Sequence, residues 1–138
     1  MLVGEAPGAQ EDQTGRPFVG RAGRLLTMAL AEAGIDRSEV FITSVIKCRP
    51  PKNRKPKKGE VEACLPYLGA QMELVKPRVV ALMGNVATKA VLGIDKVNAR
   101  HGQLHRGRFI LTFHPAAVLR NRNLMEVFVG DLRRLKEL

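Results

Sequence analysis

Four short apolar runs separated by helical stripes limit what this chain can fold into. "MLVGE" (1–5), "VFITSVI" (40–46), "RVVALMG" (78–84) and "RFILTFH" (108–114) are aliphatic, mostly rich in β-branched residues, and lack the polar alternation of a half-exposed strand. They read as strands buried on both faces, the pattern of a parallel sheet. In "GRAGRLLTMALAEAG" (20–34), Ala22, Leu25, Leu26, Ala29, Leu30 and Ala33 recur at spacings of three and four, and Gly34 suits a C-terminal cap. "GEVEACLPYLGAQMELVKP" (59–77) repeats the stripe through Val61, Leu65, Leu68, Met72 and Val75 before Pro77 ends it. "NVATKAVLG" (85–93) opens on Asn85 as an expected N-cap, and "NLMEVFVGDLRRLKEL" (123–138) closes the chain as an amphipathic helix.

Strands alternating with helices require right-handed crossovers. The expected fold class is therefore α/β: a three-layer α/β/α sandwich around a central four-stranded parallel sheet, one domain over 1–138 with no repeat or linker. In such sheets a ligand sits beyond the carboxyl ends of the strands. "GEAPG" (4–8), "TSVIKCRPP" (43–51), "MGN" (83–85) and "FHPAAVLRN" (113–121) all fall there, so one cleft collects every unusual segment.

Charge indicates the partner. Lys and Arg number 23 against 13 Asp and Glu, a formal net charge of +10, which is the footprint of a phosphate-rich ligand. The charge is clustered: "KCRPPKNRKPKK" (47–58) holds seven basic residues, three prolines and no acid, and prolines discourage both helix and central strand. It reads as an exposed cationic loop. No apolar run approaches the roughly 18 residues of a membrane span, and no leader is visible, which points to a cytoplasmic, nucleoid-associated protein. In a reducing compartment Cys48 and Cys64 are thiols or metal ligands rather than a disulfide.

The longer strings are more specific than any single turn. "GEAPGAQEDQTGRPFVGRAGRLL" (4–26) resembles the first signature of the thermostable, family 4 uracil-DNA glycosylases, and "HPAAVLRN" (114–121) resembles the second. "ITSVIKCRPP" and "ALMGNVA" between them agree in order and spacing, so the resemblance covers nearly the whole chain. It implies a monofunctional hydrolase that releases uracil from DNA, single- or double-stranded, and leaves an abasic site. Such an enzyme flips the nucleotide out of the stack. The expected partner is uracil-containing DNA, with the protein a monomer.

By their places in these signatures, Glu5 resembles the family acid that orients water and faces an oxocarbenium-like sugar, and His114 the residue that stabilises the uracil anion. Phe18 resembles the residue that stacks on uracil, with Gly4, Ala6, Pro7, Gly8 and Ser44 completing the base pocket. Lys47, Arg49, Lys52, Arg54 and Lys55 are expected to clamp phosphates, together with Asn85, Arg120 and Asn121. Leu119 either fills the gap left by the flipped base or packs within its own turn. Glu11 and Asp12 are read as helix caps or loop braces.

Two departures stand out. Family 4 enzymes usually hold an iron-sulfur cluster on four cysteines, two of them upstream of the first signature. This chain has only Cys48 and Cys64, two ligands where a cluster needs four, so a 4Fe-4S cluster is expected to be absent and Cys64 to act as a small apolar residue. Many relatives also present Asn where this chain has Ser44, which loosens the expected reading of the uracil edge. Family 5 enzymes lack the acid at the Glu5 position, and the uracil-trapping type carries a His in its basic loop, absent from 47–58. The competing reading is a non-catalytic module of the same fold that binds uracil or abasic DNA.

Overall fold

Aliphatic runs of three or four residues become strands here because each is covered on both faces. The computed structural model describes residues 1–138, and its elements are β1 (Leu2–Gly4), α1 (Ala9–Thr14), α2 (Arg21–Glu32), β2 (Ile42–Ser44), α3 (Lys58–Val75), β3 (Val80–Met83), α4 (Asn85–Leu92), α5 (Val97–Arg100), β4 (Leu104–His105), β5 (Phe109–Thr112), α6 (Pro115–Arg120) and α7 (Met125–Glu137). The sheet order is β2-β1-β3-β5-β4. β1 pairs in parallel with β2 and β3, and β3 with β5, while β4 runs antiparallel to β5.

The sheet thus has five strands and is mixed, where four parallel ones were expected. The extra strand is two residues long, too short to leave a periodic signal, and it turns into β5 through Arg106 (φ 51°) and Gly107 (φ 69°). No helix is long and apolar enough to cross a membrane.

Period-2 alternation along the strands sorts side chains onto two cores. Leu2, Ala81 and Met83 face a cluster built with Leu25, Leu26 and Leu30 of α2 and Phe128 and Leu132 of α7. Val3, Val80, Leu82 and Leu111 face the other, closed by Leu68 of α3 and Ala87 of α4. The three layers of the expected sandwich are all present. On α3, Val61, Leu65 and Met72 pack against the second cluster, but Val75, expected inward, is exposed in the last turn, where Lys76 bends left-handed before Pro77.

A buried carboxylate fixes α7 behind the site. Asp131 accepts from Thr112 Oγ1 at 2.7 Å and lies 3.0 Å from His101 Nδ1, and the His101 ring packs on Phe113 with centroids 4.9 Å apart. The residues on either side of the β5 terminus are therefore held from the rear.

One glycine is required by close approach. A Cβ on Gly23 would lie 1.9 Å from the Phe18 carbonyl oxygen, a backbone atom that cannot move without shifting the chain. Gly23→Ala should lower unfolding stability by about 3 kcal/mol, the upper range for overpacking. Gly69, exposed in the middle of α3 with open space around it, should instead gain about 1 kcal/mol as Gly69→Ala. Paired denaturant titrations measure both.

Candidate active site

The carboxyl ends of β1, β2, β3 and β5 bring Glu5, Ser44, Gly84 and His114 to one edge of the sheet. Pairing of β1 with β2 continues one step past the strands, since Val45 and Ile46 donate to the carbonyls of Gly4 and Glu5, each at 3.0 Å. The backbone that carries Glu5 is therefore as fixed as the sheet itself.

The Glu5 side chain is half-buried in a pocket of about 260 Å³ that also takes in Lys55, Asn85, Asn98, His114 and Arg120. Burial pushes its carboxyl above the ordinary range, and the positive charges of Lys55 and Arg120 pull it partly back. Asn85 is the first residue of α4 rather than its cap. Gly84 is the cap, at φ 93°, and Asn85 Oδ1 accepts from Val97 N at 2.9 Å. A Cβ at Gly84 would stand 2.9 Å from the Cβ of His114, so the capping position itself has no room for a side chain.

His114 caps α6 with its own ring. Nδ1 accepts from the backbone N–H of Ala116 at 3.0 Å, so the proton of the neutral imidazole resides on Nε2. That Nε2 is buried and has no hydrogen-bond partner. Burial, reinforced by the charge of Arg120, lowers the His114 pKa to about 4. The ring is a neutral donor waiting for an acceptor.

Phe18 lies beside it, ring centroids 5.5 Å apart and tilted by 38°. Its backbone is left-handed (φ 50°), a conformation that costs a bulky residue on the order of 1 kcal/mol or more and tends to mark functional sites. The ring rests directly on Gly4: a Cβ there would meet Phe18 Cζ at 2.4 Å and His114 Nε2 at 3.5 Å. Ala6, Pro7 and Gly8 continue from Gly4 into a second, larger cleft of about 960 Å³, which Phe18, Ser44, Gln71 and His114 also line.

Within that cleft the hydroxyl of Ser44 donates to the Ile46 carbonyl at 2.5 Å. Its proton is committed to the backbone, and only its lone pairs face a ligand. All three ammonium protons of Lys47 are also engaged, by Thr43 Oγ1, the Ser44 carbonyl and Gln71 Oε1 at 2.9, 2.5 and 2.7 Å. Burial holds its pKa below the usual lysine value. Lys47 joins the end of β2 to α3. Gln71 was not foreseen, because its role depends on α3 crossing behind β2, and the sequence gives no sign of that crossing.

The rest of the cationic loop divides. Arg54 forms a two-pronged ion pair with Glu60 at 2.7 and 2.9 Å, holding that carboxyl at about 2, and Arg49 Nε donates to Asn53 Oδ1 at 2.8 Å. Lys52 and Lys55 are exposed and neither forms an ion pair within 4.0 Å, although Lys55 borders the Glu5 pocket. Arg120 and Asn121 are exposed on the second-signature turn, where Asn121 caps the turn at 122–124. Leu119 is half-buried and packs against the larger core.

Cys48 is exposed and Cys64 half-buried on α3, and no group of three or more metal-ligating side chains gathers anywhere in the chain. Two thiols supply half of what a cubane cluster requires, so these residues do not by themselves fit one.

The protonation states carry signs that stability measurements can read. For His114, folding holds the pKa at about 4 against an ordinary value of 6.5. The unfolded chain therefore binds the extra proton between those values, and stability present above pH 6.5 is lost as pH falls toward 4, by about 3 kcal/mol. His114→Gln should show a smaller acid loss by that amount in denaturant titrations across pH 4 to 7. Glu5 has the opposite sign, its folded pKa being raised, so Glu5→Gln should raise Tm at pH 7.

A family model described as the uracil DNA glycosylase superfamily matches residues 1–135. The type-4 uracil-DNA glycosylase of Pyrobaculum aerophilum is 49% identical over 144 residues, spanning 96% of this chain and 74% of that protein. Those of Thermotoga maritima and Archaeoglobus fulgidus are 43% and 41% identical, covering 99% and 100% of this chain and 75% of each relative. With a family match over nearly the whole chain and relatives of this identity, the chain belongs to the uracil DNA glycosylase superfamily.

Proposed function

We propose that the chain is a DNA repair glycosylase that hydrolyses the N-glycosidic bond of uracil in DNA, releasing free uracil and leaving an abasic site. The observation that carries this reading is that His114 Nε2, a buried, neutral donor with no partner, shares a pocket with the half-buried Glu5 carboxylate at the end of β1, two strands away in the sheet. A breaking glycosidic bond needs both: a donor where uracil gains electrons and a negative charge where the sugar turns cationic.

In this reading uracil leaves the stack and enters beside Phe18, whose ring gives it a flat partner. The electron pair of the C1′–N1 bond leaves with uracil, and His114 Nε2–H donates to the oxygen on which that charge collects. A neutral imidazole suits the task, since it adds no positive charge beside Arg120. Glu5, ionised, faces the oxocarbenium-like sugar and orients the water. The water oxygen bonds to C1′, and its proton passes to the Glu5 carboxylate.

Lys52, Lys55, Arg120, Asn85 and Asn121 contact phosphates, with Lys47, Arg49 and Arg54 bracing the loop. Ser44 reads the base through its lone pairs and neighbouring backbone. The protein acts as a monomer, in the cytoplasm at the nucleoid, and no step in this chemistry runs through a cluster.

A single-turnover assay on an oligonucleotide with one uracil, followed by alkali, should yield strand breaks only at uracil and none on the cytosine control. Preferential binding without breaks would leave a non-catalytic recognition module instead. His114→Leu should slow excision by about 10² to 10³, and Glu5→Gln by about 10² to 10⁴. The rate should fall on acidification with a midpoint above the ordinary carboxyl value of 4.5 and show no inflection near 6.5, a profile that Glu5→Gln should flatten.

Phosphate contacts give a separate readout. Changing Lys52 and Lys55 together to Gln should reduce the slope of log K against log salt by about 2, at roughly 0.9 per contact on duplex DNA. An unchanged slope would place the phosphates elsewhere.

A further inference from the structure

The segment bearing Phe18 is held by two charged side chains of opposite sign from different parts of the chain. Glu11, on α1, accepts from the backbone N–H groups of Val19 and Gly20 at 2.9 and 2.8 Å through Oε2, and from Gly8 N–H at 2.9 Å through Oε1. Arg37, in the turn at 37–39 after α2, donates to the Pro17 carbonyl at 2.7 Å, to the Gly23 carbonyl at 3.3 Å and to Thr27 Oγ1 at 2.8 Å. The carboxylate takes the N–H groups just after Phe18, and the guanidinium takes the carbonyl just before it.

The peptide between them is one a chain avoids unaided. Phe18 is left-handed, so the carbonyls and N–H groups flanking it cannot join a regular ladder and must find side-chain partners. Glu11 and Arg37 are those partners, and both are half-buried. We infer that Glu11 and Arg37 are positioning residues: together they hold Phe18 in its left-handed bend and thereby set its ring over Gly4 and against His114. The inference rests on the proposed glycosylase reading for its kinetic consequence and on geometry alone for the placement of the ring.

A staple that only stabilises α1 and α2 would look the same in a melting curve, so the test isolates Phe18. Glu11→Gln and Arg37→Met should each lower the single-turnover excision rate at saturating protein by about 10- to 100-fold, the scale of an ångström-level misplacement. Affinity for uracil DNA should change less than about twofold. In a Phe18→Leu background, which keeps apolar bulk, neither change should lower the rate further, because a positioning residue has nothing left to position. Equal losses in both backgrounds would overturn the inference.

An arm independent of activity uses ¹³C-labelled phenylalanine. The Phe18 ring resonance, identified by its loss in Phe18→Leu, should move in Glu11→Gln and Arg37→Met while those of Phe41, Phe109 and Phe128 hold. An unmoved Phe18 resonance would also overturn the inference. Absence of uracil excision by the wild-type protein would instead refute the glycosylase reading and leave the resonance to decide the bracket.

Discussion

Everything in this molecule is referred to β1, three residues bonded on both sides. Leu2 and Val3 are fully buried and point to opposite faces, so each seeds one of the two cores. The third residue, Gly4, completes the strand and lies beneath the Phe18 ring. A side chain at that one position would lift the ring, disturb the approach to His114 Nε2 and push on α2 through Phe18. The sheet centre and the site therefore share a single dependence, the missing Cβ of a buried glycine. Gly84, one strand over, plays the corresponding part for His114 from the other side.

A strongly basic protein places its key acid where cations surround it, and this has a physical logic. Burial alone would push Glu5 toward its neutral form, which neither orients water nor faces a cation usefully. Lys55 and Arg120 oppose that shift while standing where phosphates of bound DNA are proposed to lie. Phosphates arriving there would neutralise the same cations, so DNA binding and the basicity of Glu5 are linked through shared charges. His114 is tuned in the opposite direction: burial keeps it uncharged, so in the proposed reaction it would meet a developing anion with a directed hydrogen bond rather than with net charge.

The three layers, the main helices and the strand-end location of the site were legible in the sequence because they rest on periodicities of two and about three and a half residues. Glu5, His114 and Phe18 are picked out by the signatures, and the fold sets Glu5 in one pocket with His114, and Phe18 beside the His114 ring. What sequence could not supply is pairing at a distance. β4 is two residues long and exists only because β5 lies beside it. Asn85 carries the chemistry of a cap, yet Gly84 is the cap and the Asn85 side chain is taken by the Val97 N–H, a partner twelve residues on. Lys47 belongs to a run of seven cations and would be counted as free, but Thr43 and Gln71 bind it. Arg37 gave no signal at all, since a lone arginine in a turn has no pattern. Its three acceptors come from segments that meet only after folding.

The order within the cationic loop bears on what binding demands of the protein. Lys52 and Asn53 both adopt left-handed angles, prolines flank them, Arg49 is tied to Asn53, and Arg54 is clasped by Glu60. A loop with so many basic residues would ordinarily sample many shapes and surrender that freedom on meeting a polyanion. Here the freedom is removed when the chain folds. In the proposed complex the loop would meet DNA already shaped, so less of the electrostatic attraction would be offset by lost motion, and encounter would not wait for a rearrangement.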